Sequence, residues 1–162
     1  MTNVDIETWT DVALECTREL AVDLLGLDGF EIVCRNRGLR PSVQGAFLPL
    51  IRDDSSLHVG IFSDADAIRR LACALLQVEE QDEEPDGSEV ADAVGEITNV
   101  LAGAVKTRLE DAAPDTELGL PLFTGGAVSF GHGARASIID LDLGGIPVTL
   151  LVALVVRDDV GS

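Results

Sequence analysis

Basic residues are scarce in this chain. Only 11 Lys and Arg stand against 29 Asp and Glu in 162 residues, a formal net charge of −18. Nucleic-acid affinity comes largely from Lys and Arg displacing counterions from phosphates, so this balance excludes a nucleic-acid role. Cysteines number three, and Cys16, Cys34 and Cys73 lie far apart in apolar segments without CxxC spacing. They read as buried thiols in a reducing compartment rather than as a metal or redox centre. Neither of the two histidines, His58 and His132, has neighbours at metal-ligand spacing, so no metal site is expected. Long apolar runs are missing too. The longest, Ile146 to Val156, has 11 residues including Thr149, whereas a membrane-spanning helix needs roughly 20. It reads as a buried strand, and no membrane segment is expected. The N-terminal MTNVDIETW has no basic stretch followed by an apolar one, which argues against a secretory signal and for the cytoplasm.

What is present suits a globular protein: 46% of residues are hydrophobic and 25% charged. A chain of this length is expected to form one domain, 1–162, with its core over about 8–157. Apolar residues at helical spacing predict a first helix from about Thr10 to Leu25, with Gly26 as its stop. Phe30 to Arg35, Ser42 to Arg52 and Ser55 to Phe62 carry β-branched and aromatic residues between turn signals, as antiparallel strands do. Ser63-Asp64 caps a second helix containing Ile68, Leu71, Ala72, Leu75 and Leu76. Residues 79–87, EEQDEEPDG, are too charged for a core and read as an extended, solvated loop. A third and longest helix is expected from Ser88, as N-cap, to Glu110. The C-terminal third reads as β, with Gly144-Gly145 as a hairpin turn. The fold class is therefore α+β, with long helices packed on a largely antiparallel β-sheet.

Shifting the first helix by 81 positions lays Asp11, Glu15, Thr17, Leu20 and Ala21 over Asp92, Glu96, Thr98, Leu101 and Ala102. Five identities suggest an internal duplication. The telling difference is Arg18 where the second copy has Asn99.

The third helix holds the candidate site. Asp92, Glu96, Asn99 and Gly103 follow one another at intervals of four, three and four, which puts them on one face. Val90, Val94, Ile97, Leu101, Ala104 and Val105 collect on the opposite, core-facing side. A solvated helix face is one reading of the polar stripe. The other is a site that needs close approach, because Asn is a poor helix former and a mid-helix Gly costs about 1 kcal/mol relative to Ala. Gly103 either admits a partner's backbone or packs against this chain's own sheet.

Other motifs carry less. Asp82, Glu84, Asp86 and Gly87 fit positions one, three, five and six of an EF-hand loop, but position twelve is Ala93 and Pro85 interrupts it. GGAVSFGHG lacks the lysine of a phosphate-binding loop and reads as turn geometry. Asp140 and Asp142 alternate with Ile139, Leu141 and Leu143, the pattern of a strand with one wet face.

The segment DAVGEITNVLAGAVK followed by LGLPLFTGG resembles the CheC/CheX/FliY family of chemotaxis phosphatases. Its motif is Asp or Ser, three residues, Glu, two residues, Asn, and a Pro about 22 residues on. Asp92, Glu96 and Asn99 fit it; Pro121 follows Asn99 after 21 residues. With one complete motif, the chain looks CheX-like. The resemblance implies a protein phosphatase that hydrolyses the phospho-aspartate of a CheY-like response-regulator receiver domain. It implies Glu96 and Asn99 as the catalytic pair, with Asp92, Gly103 and Pro121 in partner-binding or supporting places. It also implies no cofactor of its own, a divalent metal (Mg) on the partner, and pairing into a homodimer. Two further readings stay open: a non-catalytic receiver-binding or motor-switch adaptor of the same fold, and a small-ligand sensor.

Overall fold

The computed structural model describes residues 4–36, 43–79, 81–125 and 133–156. His132, most of the glycine-rich stretch 125–133, Ser42 as a strand start, Glu80 of the acidic loop and position 157 lie outside the described residues.

Each helix begins at an aspartate cap. Helix α1 (Ile6–Asp23) starts where the Asp5 carboxylate accepts the Thr8 N–H at 2.8 Å, four residues earlier than Thr10, and this brings the buried Trp9 into the core. At its end Gly26 adopts φ +63°, and the Leu27 N–H returns to the Ala21 carbonyl at 2.8 Å. Helix α2 (Ala65–Leu76) is capped by Asp64, as expected. Helix α3 (Gly87–Arg108) is capped by Asp86 and not by Ser88. Asp86 accepts the Glu89 N–H at 2.8 Å, and the Glu89 carboxylate accepts the Asp86 N–H at 3.3 Å. This reciprocal box satisfies two donors at once and decides the start of the helix.

The strands are β1 (Phe30–Arg35), β2 (Gln44–Ile51), β3 (Ser55–Ser63), β4 (Glu117–Leu118), β5 (Leu122–Gly125), β6 (Arg135–Leu143) and β7 (Ile146–Val156). They form one sheet in the order β1-β6-β7-β3-β2-β4, with β5 also on β2, and every pairing is antiparallel. Gly144 and Gly145 turn β6 into β7 with φ +58° and +92°, as a type I′ hairpin requires. The core lies between this sheet and the helices: Ala46, Leu48, Leu57, Val59, Leu150 and Val152 meet Trp9, Leu71, Ile97 and Leu101. Phe62, Leu151 and Ala153 form a separate cluster, with Phe47 and Ile138 against it. No helix among the described residues is long and apolar enough to cross a membrane.

The two halves repeat one pattern. The β2–β3 ladder runs from Gln44↔Ser63 to Ile51↔Ser56. Moved on by 91 positions, it falls on the β6–β7 ladder from Arg135↔Leu154 to Asp142↔Pro147. Gly60 and Leu151, related by the same step, face each other across β3–β7 at the centre of the sheet. Strand β1 flanks β6 as β5 flanks β2, so the sheet has an approximate two-fold. The N-caps Asp5 and Asp86 keep the 81-residue offset of the helices. So do the buried Thr17 and Thr98, whose hydroxyls donate to the Ala13 and Val94 carbonyls at 2.7 and 2.8 Å.

His58, on β3, lies beside Phe47 with ring centroids 6.1 Å apart, and its Nε2 is 3.2 Å from Ser56 Oγ. Burial holds its pKa below the usual 6.5. The unfolded chain therefore binds this proton first as the pH falls. The neutral ring contributes its full stability above about pH 6.5 and loses it as the pH drops through the lowered folded value. Urea unfolding at about pH 7.5 and 5.5 should show a loss on acidification that His58→Phe diminishes. An equal loss in both proteins would refute this role of His58.

Candidate functional site

Helix α3 buries Val94, Ile97, Leu101, Ala102 and Val105 against the sheet and its neighbours. Val90 and Ala104, expected in that stripe, sit at its margins and are half-buried. The opposite face carries Asp92 and Glu96, exposed, and Asn99 and Gly103, partly exposed. Among the described residues, the side chains of Asp92, Glu96 and Asn99 make no hydrogen bond or ion pair. A carboxylate and a carboxamide one turn apart are thus held on a rigid helix with their donors and acceptors open to a visitor.

The two glycines of this helix do different things. A Cβ at Gly103 would meet nothing within 4 Å, so packing against the chain's own sheet does not explain this glycine. A Cβ at Gly95 would lie 3.7 Å from both Cβ and Cγ of Pro121. Pro121 therefore rests on α3 beside Glu96, and the fold brings it to the motif helix. Gly95 escaped the reading of the sequence, although the cost of a mid-helix glycine, applied above to Gly103, points to it equally. Pro121 is held from behind as well. Strand β4 pairs with Leu50 and Ile51, the Gly119 N–H donates to the Pro49 carbonyl at 2.8 Å, and β5 pairs again from Leu122 opposite Phe47. The edge of the sheet is thus broken into two short strands at Gly119–Pro121.

The matching face of α1 is filled. Glu15 and Arg18 form an ion pair at 2.5 Å, where α3 has the unpaired Glu96 and Asn99. Val22 stands at the place of Gly103, and the buried Leu14 at that of Gly95. Arg108 near the end of α3 pairs with Glu19 of α1, tying the two helices together.

Elsewhere the acidic loop is exposed, as expected, but it is tethered. Arg69 of α2 binds Asp66 at 2.6 Å and Glu84 at 2.7 Å. Of the three cysteines only Cys16 is buried, and desolvation raises its thiol pKa. Cys34 and Cys73 are half-buried, contrary to expectation. Cys34 follows an irregularity in the edge strand β1, and Cys73 lies on the flank of α2. Asp140 accepts the Thr149 hydroxyl and Asp142 the Gly145 N–H, both beside the hairpin turn.

Comparison with known proteins bears on this arrangement. The model of the family described as "Chemotaxis phosphatase CheX" matches residues 50–129, which contain α3 and Pro121. No curated protein sequence matches. Among solved structures, the chemotaxis protein CheX from Vibrio vulnificus is 17% identical with a TM-score of 0.73, covering 91% of this chain and 99% of that one. The CheX of a CheX-CheY-BeF3-Mg complex from Borrelia burgdorferi is 19% identical with a TM-score of 0.73, covering 94% and 99%. FliY from Thermotoga maritima is 13% identical with a TM-score of 0.65, covering 93% and 87%. With this family match across the motif helix, and with the fold those structures share, the chain belongs to the CheX-like chemotaxis phosphatases.

Proposed function

We propose that the protein hydrolyses the phospho-aspartate of a CheY-like receiver domain, with α3 laid over the acyl phosphate. The observation that carries this reading is the unpaired Glu96 and Asn99 on a face left clear by Gly103, beside a twin face on α1 that is closed by Glu15–Arg18 and Val22. Asn99 has the chemistry to orient water. Its carboxamide offers both a donor and an acceptor, and it adds no charge to repel phosphoryl oxygens. Glu96 has the chemistry to fix register by pairing with the receiver's lysine. The receiver's own metal and lysine supply the charge stabilisation, so this chain contributes position more than electrostatics. They must also offset the acidity of Asp92 and Glu96. Asp92, one turn before Glu96, supports the pair.

The test is phosphate release from the phosphorylated receivers of the same cell. The protein should accelerate release from at least one of them. Glu96→Ala should raise the half-saturating receiver concentration about tenfold, as expected for loss of one charge-assisted contact. Binding without acceleration would make the protein an adaptor, and failure with every receiver would end the phosphatase reading.

A further inference from the structure

We propose that Lys106 is a phosphoryl-binding residue, its ammonium reaching over Gly103 to the phosphoryl oxygens of the docked receiver; the inference rests on the reading that a phosphorylated receiver is the partner. Lys106 is the only lysine of the chain. It continues the spacing of the candidate face, three residues after Gly103 and seven after Asn99 on α3, so it lies on their side of the helix. The side chain is half-buried and makes no hydrogen bond or ion pair among the described residues, in a chain that holds 29 Asp and Glu.

The reason is local. Helical side chains lean towards the turn that precedes their own Cα. Arg18 and Arg69 find Glu15 and Asp66 three residues back and pair with them at 2.5 and 2.6 Å. At that place before Lys106 stands Gly103, with Ala102 one residue earlier, so the arm meets neither a carboxylate nor a long side chain. A Cβ on Gly103 would itself meet nothing within 4 Å, and the lane from Lys106 towards Asn99 is open. In the first half the matching places hold Val22 and the buried Leu25, so the closed twin face lacks both the gap and the cation. Lys106 also stands in the last turn of α3, where a cation complements the helix dipole. That effect requires neither Gly103 nor alignment with Asn99.

Reach and charge name the occupant. Two turns, about 10.5 Å, separate Lys106 from Asn99 along the helix, and the flexible four-carbon arm covers about one of them. The turn that is left is room for a phosphoryl group and its attacking water beside the Asn99 carboxamide. An ammonium is a point charge and suits phosphoryl oxygens without a fixed bidentate geometry. The face is then charged in order, with Asp92 and Glu96 towards the start of α3 and Lys106 towards its end. A receiver that carries a lysine and a phosphoryl group answers both ends when it lies in one direction along the helix.

Titration with the receiver, with and without beryllofluoride as the phosphoryl stand-in, tests the contact. Lys106→Met keeps the stem and removes the charge, and it should weaken binding of the loaded receiver about tenfold while leaving the unloaded one unchanged. The gap to wild type should narrow as salt is raised, and Lys106→Arg should recover most of the affinity. In phosphate release the half-saturating receiver concentration should rise with the dissociation constant. A helix-end role alone would lower the urea midpoint and leave the loaded and unloaded affinities as they were. Wild-type affinity of Lys106→Met for the loaded receiver would overturn the proposal. So would an equal loss with loaded and unloaded receiver, which would place the ammonium on a receiver carboxylate instead. If wild-type protein binds a receiver without releasing phosphate, the catalytic reading fails and the titration still decides on Lys106. If it binds none, both readings fall.

Discussion

Asn99→Ala is expected to lower accelerated phosphate release on the order of 10²-fold, the scale of losing a single positioning group, while the receiver still binds. The side chain is partly exposed and makes no hydrogen bond among the described residues, so its removal breaks nothing in the fold. Ala is also the better helix former, by about half a kcal/mol, so the variant should be as stable as the parent or slightly more so. Loss of rate therefore cannot be attributed to unfolding. Asn99→Asp sharpens the test. It keeps the shape but removes the N–H donor and turns a negative charge towards the phosphoryl oxygens, and its rate should fall at least as far. Single-turnover release with saturating receiver measures the effect. Wild-type rates in both variants would remove Asn99 from the chemistry.

Gly45→Ala is expected to cost about 3 kcal/mol or more, the upper range of overpacking, with the loss read as a lowered urea midpoint. Gly45 has no unusual φ; what it needs is space. A Cβ there would run into the Ile61 carbonyl oxygen and lie 2.8 Å from Phe62 Cα and 2.9 Å from the Ile61 carbonyl carbon. These are backbone atoms of the paired strand β3, and they cannot rotate away as a side chain would. The clash can be relieved only by separating β2 from β3. Since β2 also lies under α3, the platform for Glu96 and Asn99 would lose its support. A midpoint within error of wild type would mean that the ladder is looser than its geometry indicates.

Much of this was legible in the amino-acid order, and the reasons are local. The 3.6-residue repeat of Val94, Ile97, Leu101 and Val105 defined α3 and its outward pair, because one helix face either meets a core or does not. Phe30–Arg35 and the Gly144-Gly145 turn could be read because β-branched and aromatic residues between turn signals, and paired glycines, leave direct marks. Helix starts were harder. Ser88 and Asp86 are both good caps, and the choice fell to the reciprocal bond from Glu89. What could not be read was contact across distance. Nothing near Gly95 announces Pro121, because that contact depends on where the fold brings a residue distant in the chain. The half-burial of Cys34 and Cys73 has the same origin. Apolar neighbours in the chain do not ensure apolar neighbours in space.

The meeting of β3 with β7 at Gly60 and Leu151 also bears on how the chain finds its shape. Hairpins β2–β3 and β6–β7 each close over a few residues, so each can pair early and independently of the other. The ladder between them joins segments 91 positions apart at its centre, Gly60 opposite Leu151, and closing it costs more loop entropy than closing either hairpin. Until it forms, each hairpin has an unpaired edge, and α1 and α3 lack the common surface on which they sit. The joining of two similar halves is thus a costlier closure than either hairpin, and the face bearing Glu96 and Asn99 has its full backing only when that ladder is in place.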